Sequence, residues 1–193
     1  MTLQRLSDDN SDAWGRLRSQ VVDFGTQSGL LRELNVRRKG KKGGDPFQIQ
    51  VKVAGQKFNL IDVGYGVSQV LPILVDCALA SDGTTFLVQQ PEVHLHPRAQ
   101  AELGTYFGAL AAKQSKRFII ETHSDYLVDR LRSLVASGGP LRPEHVCILF
   151  FERAEKDVRI SEITIDGQGN LCGAPDGYRA FFLEEQRRFL FGV

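Results

Sequence analysis

Residues 84–97 of the chain read TTFLVQQPEVHLHP, and this stretch decides the fold. The segment Thr85–Gln89 is a short apolar run that ends on a polar residue, which predicts a buried strand of a parallel sheet. Ligands of α/β sheets bind at the carboxyl ends of the strands. The polar groups that follow this strand, Gln89, Gln90 and Glu92, are therefore candidate site residues.

A second stretch, FIIETHS at residues 118–124, repeats the same design further along the chain. Its apolar residues predict another buried strand over Arg117–Glu121, which delivers Thr122, His123 and Ser124 to the same edge of the sheet. Apolar residues at helical spacing predict helices over residues 98–112 and 124–136. Alternation of strands and helices from Gly64 onward predicts an α/β fold with a parallel sheet and flanking helices.

A third stretch, DVGYGVSQVLP at residues 62–72, places a glycine turn before a helix predicted over residues 67–80. We expect Pro72 near the first turns of this helix, where a missing N–H is tolerated. The N-terminus of a helix offers free backbone N–H groups and a positive dipole end, which together bind anions. The residues of this candidate anion site are Gly64, Gly66, Ser68 and Gln69.

The rest of the chain divides around these stretches. Residues 14–34 predict one or two short helices broken near Gly25 and Gly29, and residues 35–39 and 47–53 predict a β-hairpin with a basic tip. Further strands are predicted at 58–61, 146–152 and 158–165, and a C-terminal helix at 178–190. We expect a helical segment over 1–34, a hairpin and strand over 35–61, and an α/β lobe over 62–193.

The bulk composition is that of a soluble globular protein. Of the 193 residues 42% are hydrophobic and 24% are charged, and the formal net charge is +1. No apolar run is long enough to span a bilayer, and the N-terminus has no signal-peptide pattern. Cys77, Cys147 and Cys172 lie far apart, so we expect reduced core thiols in a cytoplasmic protein without membrane contact.

Together, the three stretches resemble the ABC-type ATPase heads of the overcoming-lysogenization-defect nucleases and of the structural-maintenance-of-chromosomes class. They are most similar to a bacterial family of stand-alone ATPases marked by GxGxSQxLP, PExHLHP and THS motifs, and several of its relatives act in anti-phage defence. The resemblance implies the C-terminal lobe of a P-loop ATPase head that works as a homo- or hetero-oligomer with ATP and Mg²⁺.

The resemblance also implies residue roles. Gly64, Gly66, Ser68 and Gln69 would form the signature motif, which contacts the γ-phosphate held by an opposing subunit. Gln89 falls where the Walker B acid orders Mg²⁺, Gln90 falls where many heads keep the catalytic glutamate, and Glu92 is the family's fixed acid. The D-loop at the interface would contain His94, His96 and Pro97, and the switch would comprise Thr122, His123 and Ser124.

Two departures from the family pattern bear on activity. The chain has no Gly-x-x-x-x-Gly-Lys-Ser/Thr phosphate loop, so we expect an N-terminal Walker A lobe to come from a separate chain or a missing segment. The amide of Gln89 is a poor Mg²⁺ ligand and cannot act as a base, so the chain alone should be inactive. The alternative function is a non-catalytic scaffold built on a degenerate ATPase lobe.

Three other interpretations stay open. His94 and His96 have the His-x-His spacing of a metal site, although no third ligand is assured, and His123 with Glu121 has the composition of a catalytic dyad. The third concerns the basic hairpin tip, which is either a solvated loop or a contact site for nucleic-acid phosphates. The basic residues of that tip are Arg37, Arg38, Lys39, Lys41 and Lys42. A nuclease effector is a further candidate partner.

Overall fold

The computed structural model describes residues 12–40 and 45–192, and the chain forms two compact units that divide between Leu131 and Arg132. In chain order the first unit contains α1 (Asp12–Ser28), β1 (Glu33–Arg38), β2 (Phe47–Val53), β3 (Gln56–Asn59), a 3-10 turn (Leu60–Asp62), α2 (Tyr65–Leu79), β4 (Thr85–Gln89), α3 (Pro97–Gln114), β5 (Arg117–Glu121) and the start of α4 (Asp125–Ala136). The predicted α/β fold, with a parallel sheet and flanking helices, is confirmed.

The parallel pair β4–β5 positions the candidate site. Its strands have the bounds that the sequence predicts, and Leu87 lies directly opposite Ile119. One face of the pair, with Phe86 and Phe118 stacked 5.3 Å apart, packs against the core of the first unit. The other face is open, with Leu87 79% and Ile119 64% exposed. The expectation of strands buried on both faces is therefore wrong for this chain.

Helices pack around the covered face. Helix α1 lies against α2 and α3. Helix α2 turns one apolar stripe inward because its buried residues recur at helical spacing. They are Val67, Val70, Leu71, Leu74, Val75 and Cys77. Burial raises the pKa of the Cys77 thiol to about 11.

The N-terminal part corrects two expectations. Helix α1 runs through Gly25 without a break and ends before Gly29, which has φ +82°. A Cβ at Gly25 would lie 2.5 Å from Leu31 Cγ, so this glycine permits close packing and does not interrupt the helix. The predicted hairpin is present, with β1 antiparallel to β2. Strand β3 spans Gln56–Asn59, earlier than predicted, because Leu60–Asp62 forms a 3-10 turn.

The second unit contains an antiparallel sheet. Its elements are a 3-10 turn (Pro143–His145), β6 (Cys147–Ala154), β7 (Asp157–Ile165), β8 (Leu171–Cys172) and α5 (Ala180–Phe191). Strands β6 and β7 are joined by two residues, which excludes the long crossover that parallel strands require. The expected continuation of the parallel sheet into β6 and β7 is therefore wrong.

Two smaller expectations are also corrected. Cys147 and Cys172 are exposed, so only Cys77 matches the expected core thiol among the three, all of which are free. Pro72 lies in the interior of α2 and not in its first turns.

Within the described residues, no helix has the length and apolar character to cross a membrane.

Candidate functional site at the tips of β4 and β5

The tips of β4 and β5 bring three polar side chains together. Gln89 and Glu121 are register partners, and Gln89 Nε2 donates to Glu121 Oε2 at 3.0 Å. Gln90 Nε2 donates to Glu121 Oε1 at 3.0 Å, and the Gln90 backbone N–H donates to the Glu121 carbonyl at 2.7 Å. Gln90 has φ +43°, a left-handed conformation that turns the chain off the strand. Two amides thus hold the Glu121 carboxylate, one at each oxygen.

The turn after β4 carries a buried acid. Glu92 is only 7% exposed, and its Oε1 accepts a hydrogen bond from the His123 backbone N–H at 2.7 Å. Its other oxygen, Oε2, is buried and has no hydrogen-bond partner. A buried oxygen without a hydrogen-bond partner costs free energy and is rare in folded proteins, so this position of Glu92 calls for an explanation. Glu92 therefore fastens the turn after β4 to the segment that follows β5.

Ser124 anchors the segment that follows β5 to helices α3 and α4. Its hydroxyl donates to Gln100 Oε1 at 2.7 Å and accepts from the Leu127 N–H at 3.1 Å, which caps the first turn of α4. Its own N–H donates to Thr122 Oγ1 at 3.0 Å. The His123 side chain remains exposed between these anchored neighbours. The segment 122–124 therefore presents an imidazole on a fixed backbone.

The start of α2 contacts the same turn. The helix begins after Gly64, and a Cβ placed on Gly66 would lie 2.8 Å from the His94 carbonyl oxygen. The Tyr65 and His94 rings have centroids 5.4 Å apart. Glycine at position 66 is thus required by close packing against a turn whose His94 has φ +64°.

The structure therefore joins the three predicted motifs through one turn, with Glu92 contacting His123 of the 118–124 motif and His94 contacting Tyr65 of the 62–72 motif. Not every predicted residue takes part. Ser68 donates to the Leu60 carbonyl at 3.5 Å, and Gln69 is exposed on α2. His96 caps α3 by accepting from the Ala99 N–H at 3.4 Å, with Pro97 as the first residue of that helix.

Sequence reasoning missed the position of Glu121. It considered this residue only as a partner of His123, whereas in the structure its carboxylate accepts hydrogen bonds from Gln89 at the end of β4 and from Gln90 just after it. The signal was present, because Gln89 and Glu121 each end an apolar strand of a predicted parallel sheet. Residues at equivalent ends of adjacent parallel strands lie side by side.

The described basic residues of the hairpin tip are not gathered on one face. Arg37 and Arg38 are neighbours on β1 and so point to opposite faces of the strand. The Lys39 N–H donates to the Pro46 carbonyl at 2.9 Å. Lys41 and Lys42 lie outside the described residues. Contact of this tip with nucleic acid stays a prediction.

The strand tips offer a metal ion one exposed carboxylate, that of Glu121. Mg²⁺ takes oxygen ligands, keeps several waters and is usually held by one or two carboxylates together with the phosphates of a substrate. Glu121 is an exposed carboxylate, and each of its oxygens retains a lone pair beyond the one that the amide uses. In the part of the chain that the structure describes, no three His, Cys, Asp or Glu residues cluster as a metal site. A carboxylate supplemented by water is thus the arrangement that these residues can offer.

The fold is that of a P-loop ATPase-like domain, and comparison with solved structures agrees. A chain from work on the ATP-driven dimerization and DNA-stimulated activation of SMC ATPases matches with a TM-score of 0.57 and 11% identity, covering 94% of this chain and 97% of that one. An Smc head bound to the C-winged helix domain of ScpA matches with a TM-score of 0.56 and 11% identity, over 78% of this chain and 43% of that one.

A third match is the Pyrococcus furiosus Smc head domain with an extended coiled coil, bound to the C-terminal domain of ScpA. It has a TM-score of 0.57 and 9% identity, and it covers 95% of this chain and 42% of that one. The chain thus spans less than half the length of these two Smc heads. No curated protein matches the chain.

The family is shown by sequence. Residues 3–129 match the family described as "AAA domain, putative AbiEii toxin, Type IV TA system". The chain belongs to this AAA-domain family, and its function is ATPase-like.

Proposed function

We propose that the chain is the C-terminal half of an ABC-type ATPase head, which hydrolyses ATP once a Walker A lobe and a second head complete the site. The observation that carries this proposal is the meeting of three motifs at one turn. The Glu92 carboxylate accepts a hydrogen bond from the His123 backbone N–H at 2.7 Å, and Gly66 packs closely against the His94 carbonyl. Such a meeting is expected where strand ends and a helix N-terminus handle a phosphate.

The motifs divide the work as the resemblance implies. The exposed His123 imidazole would act as the switch near the γ-phosphate, while the N-terminus of α2 after Gly64 would face the nucleotide of the opposing head. Mg²⁺, when bound, would supply positive charge to the phosphates. The residues of this chain would orient the reacting groups and exclude bulk water, since phosphoryl transfer depends mainly on positioning and charge neutralisation.

The uncovered face of β4–β5 supports a partner lobe. Leu87 and Ile119 form an apolar pair at its centre, and contiguous exposed apolar surface marks interaction sites. In the proposed assembly the lobe that brings the Walker A loop covers this face.

The first of the similar structures comes from work on ATP-driven dimerization and DNA-stimulated activation, and we propose that this chain also pairs with a second head. Coupling to a nuclease, and a role in anti-phage defence or DNA maintenance, follow from the resemblance.

The test is reconstitution. The chain is co-purified with a polypeptide that carries the Walker A lobe, and ATP turnover is measured for wild type and for His123→Ala. We expect turnover only in the complete assembly, and a strong loss in the variant. A matched control, His145→Ala, removes an exposed imidazole from the second unit and should leave turnover unchanged. Tight Mg²⁺-ATP binding by the chain alone, or equal turnover of both variants, contradicts the proposal.

A second candidate is a non-catalytic scaffold, and the neutral amides at positions 89 and 90 favour it. A scaffold would dock its partner lobe through the same apolar face but would not hydrolyse ATP. The two candidates separate in the reconstituted assembly with Gln89→Glu, tested alone and together with Glu121→Gln. An assembly that stays inactive in every combination supports the scaffold.

A further inference from the structure

We propose that two copies of this chain pair by exchanging helix α5, so that α5 of each copy packs on the open face of the β6–β7 hairpin of the other. The partner is therefore the second unit of a second copy. The inference goes beyond the proposed function and does not depend on it, because both surfaces lie outside the strand-tip site and the contact involves no nucleotide.

The first surface is the hairpin face, the side of the β6–β7 pair on which Phe151 lies directly opposite Ile160. The solvated face of an antiparallel sheet is normally polar. Here it carries four large apolar side chains that are between 55% and 61% exposed, and such a group marks an interaction surface. They are Leu149, Phe151, Val158 and Ile160.

The second surface is the helix stripe, one side of α5. It consists of Leu183, Gln186, Phe189 and Leu190, which recur at helical spacing, while the charged residues lie on the other side of the helix. The Phe189 side chain is 90% exposed. Helix α5 has 12 residues, and a helix of that length is marginal in water on its own. The helix stripe therefore gains stability from an apolar surface to pack on.

The entry of the chain into α5 excludes pairing within one copy. The Tyr178 ring packs edge-on against Phe150, with the ring centroids 5.3 Å apart. Phe150 and Phe151 are neighbours on β6 and so point to opposite faces of the hairpin. Helix α5 begins at Ala180, two residues after Tyr178, on the side away from the hairpin face.

This connection is too short for the helix to cross its own sheet. Two residues span about 7 Å, whereas packed layers lie about 10 Å apart. With Tyr178 held on Phe150, helix α5 cannot reach the hairpin face of its own copy. The hairpin face of a second copy has no such restriction.

The size of the two surfaces also favours a second copy. Each exposes on the order of 400 Å² of apolar side chain, which is in the range of functional patches. A reciprocal exchange covers two hairpin faces and two helix stripes, about 1,600 Å² in total, which is the standard size of a stable interface. A one-sided contact would bury about half of that area, below the standard range. Exchange of an identical element is a known route to symmetric dimers.

The experiment measures self-association by sedimentation velocity at micromolar concentrations, without nucleotide. Every chain carries Leu87→Lys, so that the open face of β4–β5 does not contribute. The hairpin variant combines Leu149→Lys with Phe151→Lys, and the helix variant combines Phe189→Glu with Leu190→Glu. The control is Ile61→Lys, which changes an apolar residue of the first unit that is 82% exposed. Circular dichroism confirms that each chain is folded.

We expect the parent chain to form a dimer, and the hairpin variant and the helix variant each to weaken it at least about tenfold, since each places charges in the centre of both contacts. Ile61→Lys should leave the dimer unchanged. An equimolar mixture of the two variants keeps one unaltered contact and sets lysines against glutamates in the other, so association should recover.

Three results overturn the proposal. The first is a parent chain that stays monomeric, which would leave both surfaces to a different partner. The second is a folded hairpin or helix variant that associates as strongly as the parent chain. The third is a mixture without recovery, since pairing of like surfaces, hairpin on hairpin or helix on helix, would give that result.

Discussion

Glu92 and Glu121 lie beside the same segment, residues 122–124, in opposite surroundings. Glu92 is enclosed in the turn after β4 and holds a backbone N–H, whereas Glu121 stands exposed at the tip of β5 between two side-chain amides. The enclosed acid serves the fold, since what it offers is an acceptor for His123. The exposed acid adds little to the fold and keeps its charge available. Surroundings, more than motif position, thus assign the two carboxylates their tasks.

The largest effect is expected from breaking the packing around the enclosed acid. Gly66→Ala would place a Cβ 2.8 Å from the His94 carbonyl oxygen and 3.2 Å from Leu95 Cδ2. Because a backbone oxygen must move, we expect a loss of about 3 kcal/mol in the free energy of unfolding, near the upper end for overpacking. Chemical denaturation measures it.

Gly15→Ala is the matched control for this change. Gly15 lies in α1 and a Cβ there meets nothing within 4 Å, so the same substitution should raise stability by about 0.5–1 kcal/mol. A Gly66→Ala chain as stable as wild type would show that the turn carrying Glu92 is loosely packed.

A smaller loss is expected when the enclosed acid itself is removed. Glu92→Ala deletes the acceptor of the His123 N–H, and we expect the free energy of unfolding to fall by about 2 kcal/mol. Glu92→Gln keeps an amide oxygen in the same place and should retain most of the stability. If both variants lose the same amount in urea denaturation, the charge of Glu92 and not its acceptor role supports the fold.

Ser124 anchors the other end of the segment 122–124 to helix α4. Ser124→Ala removes the cap of α4 and the hydrogen bond to Gln100, so we expect a loss of about 1 kcal/mol. Ser137→Ala is the control, because its exposed hydroxyl donates only to the Leu134 carbonyl. Thermal unfolding of the two variants is compared, and an equal shift in both would contradict the anchoring role of Ser124.

The smallest effect on stability is expected at the exposed acid. Glu121→Gln leaves a side chain of the same shape on the surface, so the free energy of unfolding should change by less than about 0.5 kcal/mol. The same substitution separates the two acids, since at position 121 it is expected to leave the free energy of unfolding almost unchanged. A loss as large as that of Glu92→Ala would remove the distinction.

Much of the fold could be predicted from the sequence. Strands β4 and β5 have their predicted bounds because each is a short apolar run between clear turn signals. Gly25 was misjudged because the sequence does not reveal whether a glycine breaks a helix or admits a neighbour, here Leu31. The antiparallel pairing of β6 and β7 was missed although it was predictable, because the five residues between their predicted ends are already too few for a parallel crossover.

The candidate site was predictable as a location but not as a network. Strand ends and a glycine-led helix indicated where polar groups would collect. The burial of Glu92, its hydrogen bond to the His123 N–H and the clamp on Glu121 depend on side-chain directions across separate segments. Periodicity carries no information on these directions. The roles assigned to the site residues remain predictions that the variants above test.

The open face of β4–β5 has a practical consequence for handling the isolated chain. Leu87 and Ile119 present their side chains to water beside one another. Hydrophobic association weakens on cooling, so preparations should be most soluble near 4 °C and should scatter more light on warming, well below the unfolding transition. Replacing Leu87 with lysine would suppress that turbidity, and would also disable assembly if a second lobe seals the same surface.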